Sequence, residues 1–307
     1  MDTVQALMGG LFNAALVIMI VATMFNAGLT TTTKALGKVL RNVGLLVLVL
    51  ITAFVLRPLV GYGLTAIFGL GAAAAIVMLL LAAVPGAPLG VKFAMSAKSD
   101  LTTAAAMQVV LAVVGSITFA PTANFMIGAA GLGDEFALPV ADLIIAVAVL
   151  QIIPFIVGMA VRHWTEETAA SWRPTVAQTA NITLLIVIAL ALLGSFRIIL
   201  DLIGDFAIIA QTLFVIIMFA LGYFLSKGDS SVRKATASIQ PGSNAGPIFA
   251  AIAIAFNNDP EILGIAVALI FVQIVVGTFV SSWLGRGDGE GEGVPVEAEA
   301  PAEAQPA

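Results

Sequence analysis

Long apolar runs separated by short polar punctuation fill this chain, and two of the runs are interrupted midway. The pattern predicts an all-α polytopic membrane protein of about nine transmembrane helices, each near the ~20 apolar residues needed to cross. The expected spans, numbered one to nine, are 8–28, 43–69, 71–97, 101–128, 136–161, 175–196, 205–226, 231–257 and 261–284. Span three is apolar from Gly71 to Ala83 and then meets Pro85, Gly86, Pro88 and Gly90. Proline removes a backbone donor and clashes one turn back, and glycine adds backbone freedom. Irregular backbone at membrane depth survives only where it is buried in protein or lines a cavity.

The same break recurs in span eight. Pro85-Gly86-Ala87-Pro88-Leu89-Gly90-Val91-Lys92-Phe93-Ala94 aligns without gaps on Pro241-Gly242-Ser243-Asn244-Ala245-Gly246-Pro247-Ile248-Phe249-Ala250, at an offset of 156 residues. Both read P-G-x-x-x-G-x-x-F-A, so Pro85, Gly86, Pro88, Pro241, Gly242 and Pro247 are the expected helix breakers. Paired interrupted helices in corresponding halves of a chain point to the binding site of a secondary transporter.

Composition agrees with a membrane protein: 60% of residues are apolar and 10% charged, with a mean hydropathy of +1.10. The absence of cysteine excludes disulfides, thiolate metal sites and cysteine nucleophiles. No His, Asp and Glu cluster has metal-ligand spacing, no Ser/His/Asp set stands out, and no G-x-x-x-x-G-K-[ST] loop exists. An enzyme is therefore not expected, and no metal or cofactor. His163, beside Arg162 and Trp164, reads as interfacial. No basic, aromatic-interleaved patch for nucleic acid is present. The first apolar run follows no charged n-region and precedes no cleavage site, so it is expected to stay as a membrane helix.

Charge sorts by alternate loops. Of the 13 Lys and Arg residues, all but Arg57, Lys92 and Arg197 follow odd-numbered spans, together with Trp164, Trp172 and Trp283. The opposite loops carry Asp134, Glu135, Asp201, Asp205, Asp259 and Glu261. The positive-inside rule then puts the N-terminus outside and the C-terminus in the cytoplasm, in a plasma membrane, a bacterial inner membrane by expectation. Spans three and eight run in opposite directions, as an inverted repeat requires, with span five unpartnered. The net charge of −5 belongs to the acidic tail, 287–307, whose Gly, Glu, Pro and Ala composition predicts disorder. Residues 1–286 form the membrane domain.

Four stretches resemble the bile acid:sodium symporter family. Met24-Phe25-Asn26-Ala27-Gly28-Leu29-Thr30 is similar to the family's M-F-x-M-G-L/I-T signature. Pro85-Gly86, followed by Ala97-Lys98-Ser99-Asp100, looks like its P-G-G-T-A-S-N…A-K-G-D segment, and Ser243-Asn244-Ala245-Gly246 looks like Q-N-A/S-G. Pro58 matches a proline in the intervening helix. The resemblance implies a panel of spans one, five and six, and a core of spans two to four and seven to nine, in which spans three and eight cross. It implies an organic anion as substrate, either a sterol conjugate such as a bile acid or a small carboxylate, and transport by alternating access.

The resemblance also implies two sodium sites at the crossing, and there the residues depart from it. Gly90 and Val91 replace a Ser-Asn pair, Ala104 and Gln108 replace hydroxyls, Ala53 a glutamine, Ile239 an acid (beside Gln240) and Ser243 a glutamine; Asn244 is retained. Without a carboxylate this set predicts weak sodium binding. Lys92 and Arg57 are the two cations inside the membrane, and charges there by default mark a pathway or site. They are expected to replace the coupling cation and to attract an anion. The alternatives are that Lys92 snorkels to the cytoplasmic surface or carries a proton, and that Arg57 pairs with Asp142. The candidate site is thus Lys92, Arg57, Gly90, Gln108, Gln240, Ser243 and Asn244, in a transporter or, alternatively, a passive channel or ligand-binding receptor of the same fold, with membrane lipid its other partner.

Overall fold

The computed structural model describes residues 2–133, 136–201 and 206–286, without the side chains of 2–9, 191, 192 and 194–201. Asp134, Glu135, Asp205 and the acidic tail of the sequence reading lie outside the described residues. The fold is helical. Helix α1 (Asp2–Thr30) ends in the threonine run, where Thr32 caps α2 (Thr33–Arg41) by accepting from Ala35 N–H. Helices α3 (Val43–Ile51) and α4 (Arg57–Phe68) are joined by a π-helical turn over Thr52–Leu56. Next come α5 (Ala72–Ala83), α6 (Leu89–Ser96) and α7 (Leu101–Ala129). A second π turn, Ala148–Ile152, joins α8 (Val140–Val147) to α9 (Ile153–Trp164). The chain continues with α10 (Glu166–Asp201), α11 (Ala207–Phe224), α12 (Ser230–Ile239), α13 (Ala245–Ala255) and α14 (Pro260–Arg286).

Among the described residues, seven stretches are long and apolar enough to cross a membrane: Gly10–Thr30, Val43–Phe68, Leu101–Ala129, Val140–Trp164, Glu166–Leu190, Ala207–Phe224 and Pro260–Arg286. The two interrupted runs are instead pairs of short helices, α5 with α6 and α12 with α13. The expected span six begins too late: α10 starts at Glu166, where acids suit the positive helix N-terminus and Glu166 pairs with Arg162 at 2.5 Å.

Both π turns have one cause. Each lies just before a residue that precedes proline, Arg57-Pro58 and Ile153-Pro154, and its closing bond spans five residues, from Arg57 N–H to Thr52 O and from Ile153 N–H to Ala148 O. A proline offers no N–H to the carbonyl four residues back and would press on it; widening the turn relieves the clash and keeps the helix running. Pro154 sits at this junction, while Pro121 lies inside α7.

Helix α5 is the centre of the bundle, because every residue from Ala74 to Ala83 is buried and a helix apolar all round belongs inside. Helices α4, α7, α11 and α14 pack around it. Helix α1 packs against α9 and α10. Gly28 and Gly158 make that approach possible, since a Cβ on either would strike the backbone of the other helix.

Candidate functional site

The two interruptions meet. Pro85 and Ser243 form an antiparallel bridge, and Asn244 N–H donates to Val84 O at 3.0 Å. Among the described residues this is the only β-type pairing, and it gives the loose backbone at the breaks internal partners, as burial demands. The glycines of the repeated pattern permit the approach. Gly86 holds φ +92° with the α7 backbone at Ala112 against its open side. A Cβ on Gly90 would lie 2.9 Å from Ile239 Cα, and one on Gly242 2.9 Å from Ala87 Cβ. Pro88 is the N-cap of α6. Pro247 departs from the sequence expectation: it lies in the first turn of α13, where a missing N–H costs little, and Pro241 and Gly242 make the break.

Arg57 fills the space beside the bridge. It is completely buried. Its Nε donates to Ala82 O at 3.2 Å and its Nη2 to Leu81 O at 2.8 Å. Nη2 also donates to Ser243 Oγ at 2.6 Å, and Nη1 donates to Gln240 O. These acceptors lie at the C-terminal ends of α5 and α12 and in the loop after α12. A helix leaves its last carbonyls unpaired and carries partial negative charge there, so two helix ends turned on one point need a cation or many donors. The guanidinium supplies both in one planar fork. Phe214 covers it, with the ring centroid 5.1 Å away. The sequence alternative of an Arg57–Asp142 pair is not what the fold contains: Asp142 is exposed, and the ion pair among the described residues is Arg162–Glu166.

The neighbours extend the network. Ser243 Oγ lies 2.8 Å from Gln273 Oε1 and 2.9 Å from Leu81 O, to one of which it donates. Its N–H donates to Gln273 Oε1 at 3.3 Å, and Gln240 Nε2 donates to Val49 O at 3.2 Å. Asn244 caps α13, its Oδ1 accepting from Gly246 N–H at 3.2 Å, while its Nδ2 donates to Gln151 Oε1 at 2.9 Å. The start of α13 is therefore largely satisfied from within, with Pro247 lacking a donor, and offers an anion mainly its dipole.

Arg57, Gln240, Ser243 and Asn244 thus come together, with Gly90 packed beside them. Lys92 does not join them. It is on an exposed side of α6, with Nζ 3.4 Å from Asn181 Oδ1 of α10. Gln108 is buried on α7 and lines a narrow crevice with Met24, Val113, Ser116, Gln151 and Phe155. Two positions were missed as site residues from sequence, and a third was misplaced. Gln151 and Gln273 lie outside the candidate set, though the proline three residues after Gln151 was a usable signal. Lys234, assigned to a basic loop, is buried in α12.

Among the described residues no group of three or more His, Cys, Asp and Glu is placed to hold a metal ion. A comparison with curated proteins finds no match. Residues 17–202, well over half of the 307-residue chain, match the model of the Sodium Bile acid symporter family. That match covers the first break, and the second meets it in space; with its apolar helices, the chain is an integral membrane protein that belongs to the sodium bile acid symporter family of transporters.

Proposed function

We propose that this protein is a secondary transporter of an organic anion that works by alternating access without sodium. The observation that carries the reading is the Arg57 fork, bonded to oxygen atoms at the ends of both interrupted helices. Discontinuous-helix transporters hold their coupling cations at such helix ends. Here the cation is part of the chain. Sodium does not fit the residues present: Ala53, Gly90, Val91, Ala104 and Ile239 offer no side-chain oxygen, and the Leu81, Ala82 and Gln240 carbonyls already accept from Arg57.

In this reading α1, α8–α9 and α10 form the panel, and α3–α7 with α11–α14 form the core. The hydrogen bonds of Gln151 with Asn244 and of Lys92 with Asn181 cross between the two, so motion of core against panel breaks and remakes them. Lys92 is the point charge for the substrate anion, because it is the intramembrane cation left accessible, whereas the charge of Arg57 is spent on backbone. The sorted loop charges favour an outside N-terminus and a cytoplasmic C-terminus. The substrate is a small carboxylate or a sterol conjugate.

Counterflow tests this. Proteoliposomes loaded with an unlabelled carboxylate and diluted, without sodium, into its labelled form will show a transient overshoot of label. Equilibration without overshoot would mean a channel, and saturable binding without flux a receptor.

A further inference from the structure

Helix α2 joins two apolar stretches, Gly10–Thr30 and Val43–Phe68, so it lies at the membrane surface where one ends and the other begins. Lys34, Lys38 and Arg41 fall within about 60° of one another around its axis, with Leu36 and Val39 on the opposite face. The three cations are exposed, while Val39 is buried and α2 packs on α7. From Thr3 to Ser99 the chain has no acid, and among the described residues none of the three cations makes an ion pair. Asp100, which caps α7, accepts from Thr103 N–H at 3.1 Å and from Thr103 Oγ1 at 2.7 Å. Like charges one turn apart repel, so this face lacks an anion. The other end of the chain emerges nearby. Helix α14 ends at Arg286, and a Cβ on Gly285 would strike Ser96 O and lie 3.4 Å from Ala97 Cα, at the end of α6. Ala94 of α6 belongs to the same buried cluster as Val39 of α2 and Ala104 of α7. Arg286 and α2 are therefore two to three helix diameters apart on one side of the bundle, roughly 20–30 Å.

We propose that the basic face of α2 is a docking surface for the acidic tail of this same chain, residues 287–307. The tail carries Asp288, Glu290, Glu292, Glu297, Glu299 and Glu303 and no base. Single residues separate the acids of the runs 288–292 and 297–299. An extended tail therefore presents successive acids about 7 Å apart on one side, against a rise of ~6 Å from Lys34 to Lys38. Length fits as well. A free coil from Arg286 to Glu297 or Glu303 spans roughly 17–25 Å on average. Tethered docking is strongest where the linker's mean reach matches the span, an advantage that no free anion shares. Other cations on that side are already engaged: Arg162 pairs with Glu166 at 2.5 Å, and Arg233 Nε donates to Gly228 O at 3.2 Å. The proposal goes beyond the transport reading and does not depend on it.

Double electron–electron resonance on the full-length protein in phosphatidylcholine vesicles tests this. The chain has no cysteine, so two introduced ones carry the only spin labels: Gly37→Cys, where a Cβ meets nothing within 4 Å, and Ala302→Cys, between Glu299 and Glu303. At ~0.15 M salt the pair will show a short, narrow distance component in place of the broad distribution of a free coil. The component will vanish at ~1 M salt, where the screening length falls to ~3 Å. It will vanish too when Lys34→Gln, Lys38→Gln and Arg41→Gln are combined, and will persist in Lys227→Gln. Reversing both partners will restore it: Lys34→Glu, Lys38→Glu and Arg41→Glu together with Glu297→Lys, Glu299→Lys and Glu303→Lys. A disrupted α2 could not be rescued in that way. A broad distribution already present at ~0.15 M salt with α2 intact overturns the proposal. So does a short component that survives neutralisation of α2, since the tail then docks elsewhere. Loss of the component when phosphatidylglycerol replaces part of the lipid overturns it in favour of an anionic membrane surface as the occupant. Loss on dilution with unlabelled protein overturns it in favour of a second copy of the chain.

Discussion

At the scale of single residues, Arg57 sets the energetics of the crossing. Its four acceptors have no other way to bond a cation, and all are away from water. Arg57→Leu will therefore destabilise the protein by about 1–3 kcal/mol for each buried acceptor left without a donor, measured by denaturant unfolding in detergent. Arg57→Lys will recover only part of this, because an ammonium is a point charge and cannot span the fork. An Arg57→Leu protein as stable as the wild type would mean that those carbonyls find other donors. The sequence showed Arg57 as an intramembrane charge and a candidate replacement for the coupling cation, with Asp142 the one partner it suggested. Its partners are backbone oxygens, which every residue carries, so no side-chain pattern announced them. Lys92 was equally visible as a charge, but its helical phase on α6 turned it away from the bridge and toward Asn181.

Elements were legible where proline and glycine break a pattern. The repeated P-G-x-x-x-G-x-x-F-A marked both interruptions because those residues act locally. The π turns were not legible, since one extra residue in a turn leaves the apolar run unchanged. Yet the turns aim the two side chains that hold neighbouring residues of the second break, Arg57 on Ser243 and Gln151 on Asn244. Pro154→Ala lets the turn before it close to a regular α-helix, rotating Gln151 by about 100°. Counterflow will then fall severalfold while the melting temperature changes little; an unchanged rate would separate the turn from function. Close helix approach gives a second expectation. Gly158→Leu forces α9 off α1 at Gly28 and will lower the folded yield sharply. Gly63→Ala, at a position with nothing within 4 Å of a Cβ, will stay within ~0.5 kcal/mol of wild type.

For the whole molecule the consequence is electrical. A carrier whose cation is built into the core moves a substrate anion without a neutralising ion. One elementary charge in a membrane potential is worth ~2.3 kcal/mol per 100 mV, and an inside-negative potential pushes an anion out. Efflux of a monovalent carboxylate from proteoliposomes will accelerate when potassium and valinomycin set the inside negative, and slow when the sign is reversed; a rate blind to the potential would mean that a compensating cation travels too. The family and the helical class were open to reading because they rest on long apolar runs and motif spacing. The two split helices were legible too, whereas the contact between their breaks needed coordinates, because the bond from Asn244 N–H to Val84 O joins backbone groups that no side-chain pattern marks.

The most direct measurement compares initial uptake of one labelled carboxylate into proteoliposomes with sodium present and with sodium replaced throughout by choline. A guanidinium in the place of a mobile cation predicts the same rate and the same apparent KM in both. A KM that falls steeply as sodium is added, in protein with Arg57 intact, would contradict the account.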